Sequence, residues 1–307
     1  MPPLPVDVAV VDDPMQGDDF HLALYICYEL HYRGFGGVDP AWEWEPSLLG
    51  LRRTFESAFE RVLRAESPTT VSLDVEVDLA ALASGDGPSL SAYMLERGTR
   101  AQFEEFAIHR SAYQLKEADP HTWCIPRLAG GAKSAMVLIQ ADEYGDGVAG
   151  ESHAELFAHT MATLGLDPAY GAYLDLLPGT TLATVNLVSL FGLHRRLRGA
   201  LVGHLALFEM TSVGPMGRYS QALRRMGLPS AARRFYDVHV EADMVHGKVA
   251  SSRLAGGLAT QEPELAPDIV FGARALSAVE ARFAAHLFES WEHASSSLLV
   301  PVGATSR

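Results

Sequence analysis

Only two cysteines, Cys27 and Cys124, occur in 307 residues, and they lie far apart in sequence. That excludes a disulfide framework and a thiolate metal site, and it fits the reducing cytoplasm. Basic residues are also scarce: 24 Lys and Arg face 38 Asp and Glu, for a net charge of −14, and no basic cluster stands out. Phosphate backbones and anionic membranes are therefore poor partners. Long hydrophobic runs are missing as well. The most apolar stretch, 182–193, contains Asn186 and stops at His194, Arg195 and Arg196, too short to cross a bilayer. Residues 1–14 hold no basic segment followed by an apolar run, so no signal peptide is expected. Strand alternation is scarce too, with 70–77 the best candidate.

What remains is a chain that is 48% hydrophobic and long enough for a sizeable core. Its apolar residues recur at helical spacing. Asp18 and Asp19 are expected to cap a helix to about Tyr32, stopped by Gly34, Gly36 and Gly37. Pro46 opens a helix through Leu48, Leu51, Phe55, Phe59 and Leu63. Residues 89–115 read as one long helix, ended or bent at Pro120. Further helices are expected over about 131–144, 151–164, 180–211 (broken at Gly214 and Pro215), 231–254 and 276–294. A Gly/Pro/acidic loop is expected at 256–267. The expectation is an all-α fold and one domain over 1–307, with about 15 N-terminal and 12 C-terminal residues as tails.

Three local patterns carry chemistry. In His239-x-x-x-Asp243-x-x-His246, offsets of four and seven fall at roughly +40° and −20° around a helix, so the three side chains share one face. Phe235 shares it, and a carboxylate on a partly apolar face needs a partner. A divalent metal such as iron, manganese or zinc suits a mixed N/O set; a solvated surface helix is the competing reading. Glu209 sits in a run, 201–210, with almost no polar face. A helix apolar all round is buried, so this glutamate must be paired or metal-bound, with His204 as the simpler partner. Glu143 closes one helix and His153 opens the next, so a short turn would bring them together. Glu117 lies at the end of the helix carrying Tyr113. A glutamate near a helix end is usually a solvated cap, so each of these last positions is weak alone.

Taken together, the segments 113–121, 139–145, 152–157 and 239–246 resemble the haem-oxygenase-like diiron oxidases and oxygenases, the iron-containing redox enzymes. The spacing is similar to that of their N-oxygenating branch: Glu143 follows Glu117 by 26, His153 follows Glu143 by 10, and His239 follows Glu209 by 30. The resemblance covers roughly 90–255. It implies an all-α, haem-oxygenase-like helical bundle with two iron ions and dioxygen as co-substrate. It also implies seven metal ligands: Glu117, Glu143, His153, Glu209, His239, Asp243 and His246. By the same analogy Glu117, His153 and His246 serve one iron, His239, Asp243 and Glu209 the other, and Glu143 lies between. Carboxylates can switch between terminal and bridging modes and neutralise the Fe(III) pair, while histidines hold the ions. Ferritin-like bundles use Glu-x-x-His pairs for this task, and this chain has no convincing pair of them.

Other patterns carry less. His286, Glu289 and His293 share a face at a solvated helix end, Glu29 and His31 point to different sides, and 28–35 reads as structural. Gly130-Gly131 lacks the context of a phosphate loop. The reading is an O₂-dependent, non-haem diiron oxidoreductase acting on a small organic molecule, with an amine or amino acid as the N-oxygenation substrate. The alternatives are a C–C cleaving or desaturating diiron oxidase, a metal- or ligand-binding protein on this scaffold without turnover, and a true haem oxygenase or cofactor-free relative. The substrate is the one partner the resemblance requires. An external electron donor and a homodimer are compatible with it, and nucleic acid and membrane are not expected.

Overall fold

The computed structural model describes residues 4, 13–67, 74–85 and 87–302; the side chain of Asp243 lies outside what it describes. Thirteen α-helices run through the described residues: α1 Asp18–Glu29, α2 Pro46–Glu66, α3 Val75–Ala83, α4 Leu90–Glu96, α5 Arg100–Gln114, α6 Asp119–Thr122, α7 Gly130–Glu143, α8 His153–Leu164, α9 Gly179–Leu193, α10 Arg198–Arg225, α11 Arg234–Lys248, α12 Gly257–Gln261 and α13 Ala266–Glu292. A π-helical segment, Val249–Gly256, joins α11 to α12. No strand occurs among the described residues. Of the stretch 70–77, residues 70–73 lie outside them, and Val75, Glu76 and Val77 open α3. Asp74 caps that helix by accepting from the Glu76 N–H at 2.8 Å, a local bond that overrides the alternation.

The core is built around α9, whose residues 179–192 are all buried. Its one amide, Asn186, donates to the carbonyl of His21 on α1 at 2.8 Å and so ties α9 to α1. The long helix α10 packs along α13 on one side and α11 on the other. Two glycines set the first crossing: a Cβ on Gly203 would overlap the Ile269 carbonyl, and one on Gly272 the Ala200 carbonyl. The two backbones therefore touch, which no larger residue permits.

Helix ends depart from expectation where capping or tertiary bonds decide them. α1 is capped at Gly17, not at Asp18, whose carboxylate instead accepts from the Gly179 N–H and ties α1 to α9. The long helix expected over 89–115 is two, because Thr99 and Gln102 form a capping box that starts α5 after Gly98. The helix expected over 180–211 breaks at His194. There Arg127 takes the carbonyls of Gly192 and Leu193, and Glu56 takes the His194 ring at 2.9 Å. Conversely, Gly214 and Pro215 do not break α10, which runs through both while held between α11 and α13. The expected loop at 256–267 is mostly helical, and α13 starts ten residues early, at Ala266. Residues 296–298, placed in the C-terminal tail, are docked: Glu105 on α5 accepts from the Ser296 and Ser297 hydroxyls at 2.5 and 2.7 Å, and Leu298 is buried.

Candidate metal centre

Five elements, the turn after α5 and helices α7, α8, α10 and α11, bring buried acids and imidazoles to one place. α5 ends at Gln114, and Glu117 follows in a tight turn that the sequence placed on the helix itself. That turn holds Ala118 at φ 75°, a left-handed conformation costly for a residue with a side chain. It is kept by Gln140 on α7, whose amide donates to the Ala118 carbonyl at 2.8 Å and to Thr122 Oγ1 at 2.7 Å. The Gln114 amide donates to both oxygens of Glu117, at 2.7 and 3.1 Å. Glu143 is the last residue of α7. Behind it Gly145 adopts φ 64°, where a side chain would also strike the Glu151–Ser152 backbone. Ser152 and Glu155 then form a capping box that starts α8 at His153. The result is a 2.8 Å contact between His153 Nδ1 and Glu143 Oε2.

His239 and His246 come from α11, two turns apart. His239 Nδ1 lies 2.7 Å from the Phe235 carbonyl, which can only accept, so Nδ1 carries the proton. Its Nε2 is thereby the basic nitrogen, and it faces Glu117 Oε1 at 3.7 Å, beyond hydrogen-bond range. The His153 and His239 rings stack with centroids 4.1 Å apart. His246 presents Nδ1 to Glu209 Oε2 at 3.6 Å and Nε2 to Asp142 Oδ2 at 3.2 Å. Burial opposes charge on His246, but the nearby carboxylates, Glu209 first and then Glu143 and Asp142, outweigh it and hold its pKa above the ordinary value. α11 approaches α10 closely because Gly247 has no side chain, and a Cβ there would lie 3.2 Å from the Glu209 carbonyl.

Six of the seven expected residues are thus assembled and buried; the seventh, Asp243, lies on α11 between the two histidines, with its side chain outside the described residues. The six form two groups that share one member: Glu117, Glu143, His153 and His239, and Glu143, Glu209 and His246, with donor atoms within 4.8 Å of one another in each. The division differs from the one implied by analogy. His239 stands with Glu117 and His153, and His246 with Glu209, because one face of α11 spans the site and its two turns reach opposite sides of Glu143. His204, the simpler partner expected for Glu209, instead bonds His121 at 3.1 Å. A space of about 10 Å³, enough for one water-sized molecule, lies between the two groups and is lined by Tyr113, Glu117, His121, Glu143, Glu209 and His239, among others.

The donor chemistry fits a pair of first-row metal ions. A basic imidazole nitrogen facing a carboxylate at 3.7 Å leaves room for a cation between them. Bonds of about 2.0–2.2 Å from each donor span such a gap. His246, oriented by Asp142 on its far nitrogen, and Glu117, oriented by Gln114, have the outer hydrogen bonds that metal-binding side chains use.

Sequence reading missed Asp142, Gln114, Gln140, His121 and the strained Ala118. It also missed a buried pair beside the site: Lys116 Nζ meets Glu29 Oε2 at 3.1 Å, and the Tyr170 hydroxyl donates to the same oxygen at 2.7 Å. The neighbouring His31 meets Glu43 and Arg52 instead. At the other end of the chain His286 binds the Ser297 carbonyl and His293 that of Glu289, and neither joins a donor group.

The fold and these paired donors define an iron-containing redox enzyme, and the family of that description matches residues 104–281; the chain belongs to it. All seven expected ligand positions fall inside the matched region. The chain is also 26% identical over 211 residues to the nitrosourea synthase of Streptomyces achromogenes subsp. streptozoticus. That alignment covers 66% of this chain and 44% of the relative, so the chain spans less than half of that protein.

Proposed function

We propose that the chain is an O₂-activating, non-haem diiron oxygenase or oxidase acting on a small organic molecule, with N-oxygenation as its reaction class. The observation that carries this is the pair of buried Glu/His groups sharing Glu143. In this reading Glu117, His153 and His239 hold one ion, Glu209 and His246 the other, and Glu143 both; Asp243, one turn before His246, completes the set. Bound iron supplies the electrons that reduce dioxygen, and an external donor restores them. The ligand spacing and the likeness to a nitrosourea synthase favour a nitrogen as the atom oxidised.

The chain's own part is to hold charge and exclude water. Three buried glutamates would repel one another in a dry site; two divalent ions would neutralise them, bound by the imidazoles in their neutral form. Phe235 and Asp142 fix which nitrogen of His239 and His246 faces inward. The small space between the groups admits a diatomic or a water and little more. The two cysteines are buried and unpaired, which supports a reducing, cytoplasmic setting. No helix among the described residues is long and apolar enough to cross a membrane.

The test is anaerobic titration with Fe(II), followed by mixing with O₂. Two Fe(II) per chain and O₂ consumption coupled to loss of an added substrate are expected. Saturation at one ion or none removes the diiron reading, and binding of two without O₂ consumption reduces the protein to a metal-binding one.

A further inference from the structure

Beside the metal centre lies a second, larger cavity of about 480 Å³, within the range of small-molecule sites of roughly 300–1,000 Å³. It is lined by α5, α10 and α13, with Tyr236 of α11 and Phe157 of α8, and by residues 87–91 leading into α4. Two residues join it to the centre. Phe208 lines both this cavity and the small space between the glutamates. Gln114 lines it and, through its amide, holds Glu117. A molecule seated here is one side chain away from the donor groups.

The walls are chiefly aliphatic and aromatic, and the charges on them cancel. Arg110 and Glu280 form a two-point pair at 2.8 and 2.7 Å, and the guanidinium packs over the Phe283 ring at 4.4 Å. A zwitterionic or cationic guest finds no unpaired counter-charge on these walls. The other polar groups on the walls are neutral, among them the hydroxyls of Ser89, Ser91, Thr211, Ser212 and Ser277.

We infer that this cavity seats the substrate and selects an uncharged molecule with an aromatic or branched aliphatic body and neutral polar groups, not a free amino acid. The inference rests on the proposed oxygenase reading and names its substrate class. For N-oxygenation the fitting type is an arylamine, whose nitrogen is unprotonated at neutral pH and keeps its lone pair.

Binding to the metal-free protein tests this apart from turnover. N-phenyl-1-naphthylamine is uncharged, and its emission rises in apolar surroundings. One saturable site per chain is expected, weakened at least tenfold by Ala284→Trp, which narrows the cavity. L-tryptophan and L-arginine should not displace the probe. If Ala284→Trp fails to fold by its thermal melt, Met216→Trp fills the same space. The inference is overturned if the probe does not bind, if neither filling variant weakens it, or if the amino acids displace it and Arg110→Met removes that displacement. Iron stoichiometry is independent of all these arms. Two Fe(II) with no probe site refutes this inference alone, while a probe site without iron refutes the diiron reading alone.

Discussion

The buried Lys116–Glu29 pair sits one residue from Glu117, and replacing Lys116 by methionine isolates its worth. Both side chains are 1% exposed. The ammonium also lies over the rings of Tyr25 and Tyr32, at 4.6 and 4.4 Å. Methionine fills much the same volume but leaves the Glu29 carboxylate without its ammonium partner, with the Tyr170 and Tyr25 hydroxyls and the Arg33 N–H remaining. Removing one member of a buried pair costs about 3–5 kcal/mol, most of it from the charge left behind. A chain of 307 residues has an unfolding entropy of roughly 0.64 kcal/mol/K at about 2.1 cal/mol/K per residue, so the melting temperature should fall by about 5–8 °C. Calorimetry on metal-free protein is the assay, since bound iron would add its own stabilisation. The double variant Lys116→Met with Glu29→Gln should regain more than half of the loss, because the substituted amide is neutral and its oxygen can still accept from Tyr170. A single variant melting within about 1 °C of the parent, or a double variant no better than the single, would refute the argument that an unpaired charge is what destabilises.

Three further outcomes are expected. Gly203→Ala should lower the melting temperature although alanine favours helices by about 1 kcal/mol, because its methyl overlaps the Ile269 carbonyl; an unchanged melt would show that α10 and α13 can part freely. His109, bonded to Thr181 and Ser297, has its pKa pushed down to about 3, by burial first and then by the charges of His286 and Arg110. The unfolded chain therefore binds the extra proton below about pH 6.5, and stability falls as pH drops from there toward 3. Between pH 5.5 and 4.5, urea unfolding of His109→Gln should show a slope shallower than that of the parent by about 1.4 kcal/mol per pH unit, and parallel slopes would mean that His109 titrates normally. Asp243→Ala should bind one Fe(II) in place of two while melting no lower than the parent in the metal-free state. If it unfolds at normal iron content, Asp243 is a structural charge and not a ligand.

The residues of the candidate site were legible where local pattern was anomalous. Glu209 is a carboxylate on a helix with no polar face, and His239 and His246 repeat two turns apart on a partly apolar one. Glu143 and His153 were legible because a glycine turn joins them. The groups that orient them were not. Gln114, Gln140 and Asp142 look like ordinary surface residues of their helices, and only the approach of another segment makes them hydrogen-bond partners. Pro215 misled because its cost to a helix is local, whereas α10 is held on two sides.

By itself, the sequence determined the helical class and about half of the helix starts, which depend on periodicity and caps, while the set of acids and imidazoles came from the resemblance to a family. Tertiary structure alone decided which donors stand together. The grouping of His239 with Glu117 and His153, and of His246 with Glu209, follows from how α11 lies across α7 and α10. That placement is set by close backbone contact at Gly247 and by the crossing of α10 and α13 at Gly203 and Gly272, between segments tens of residues apart. No local periodicity encodes such contacts.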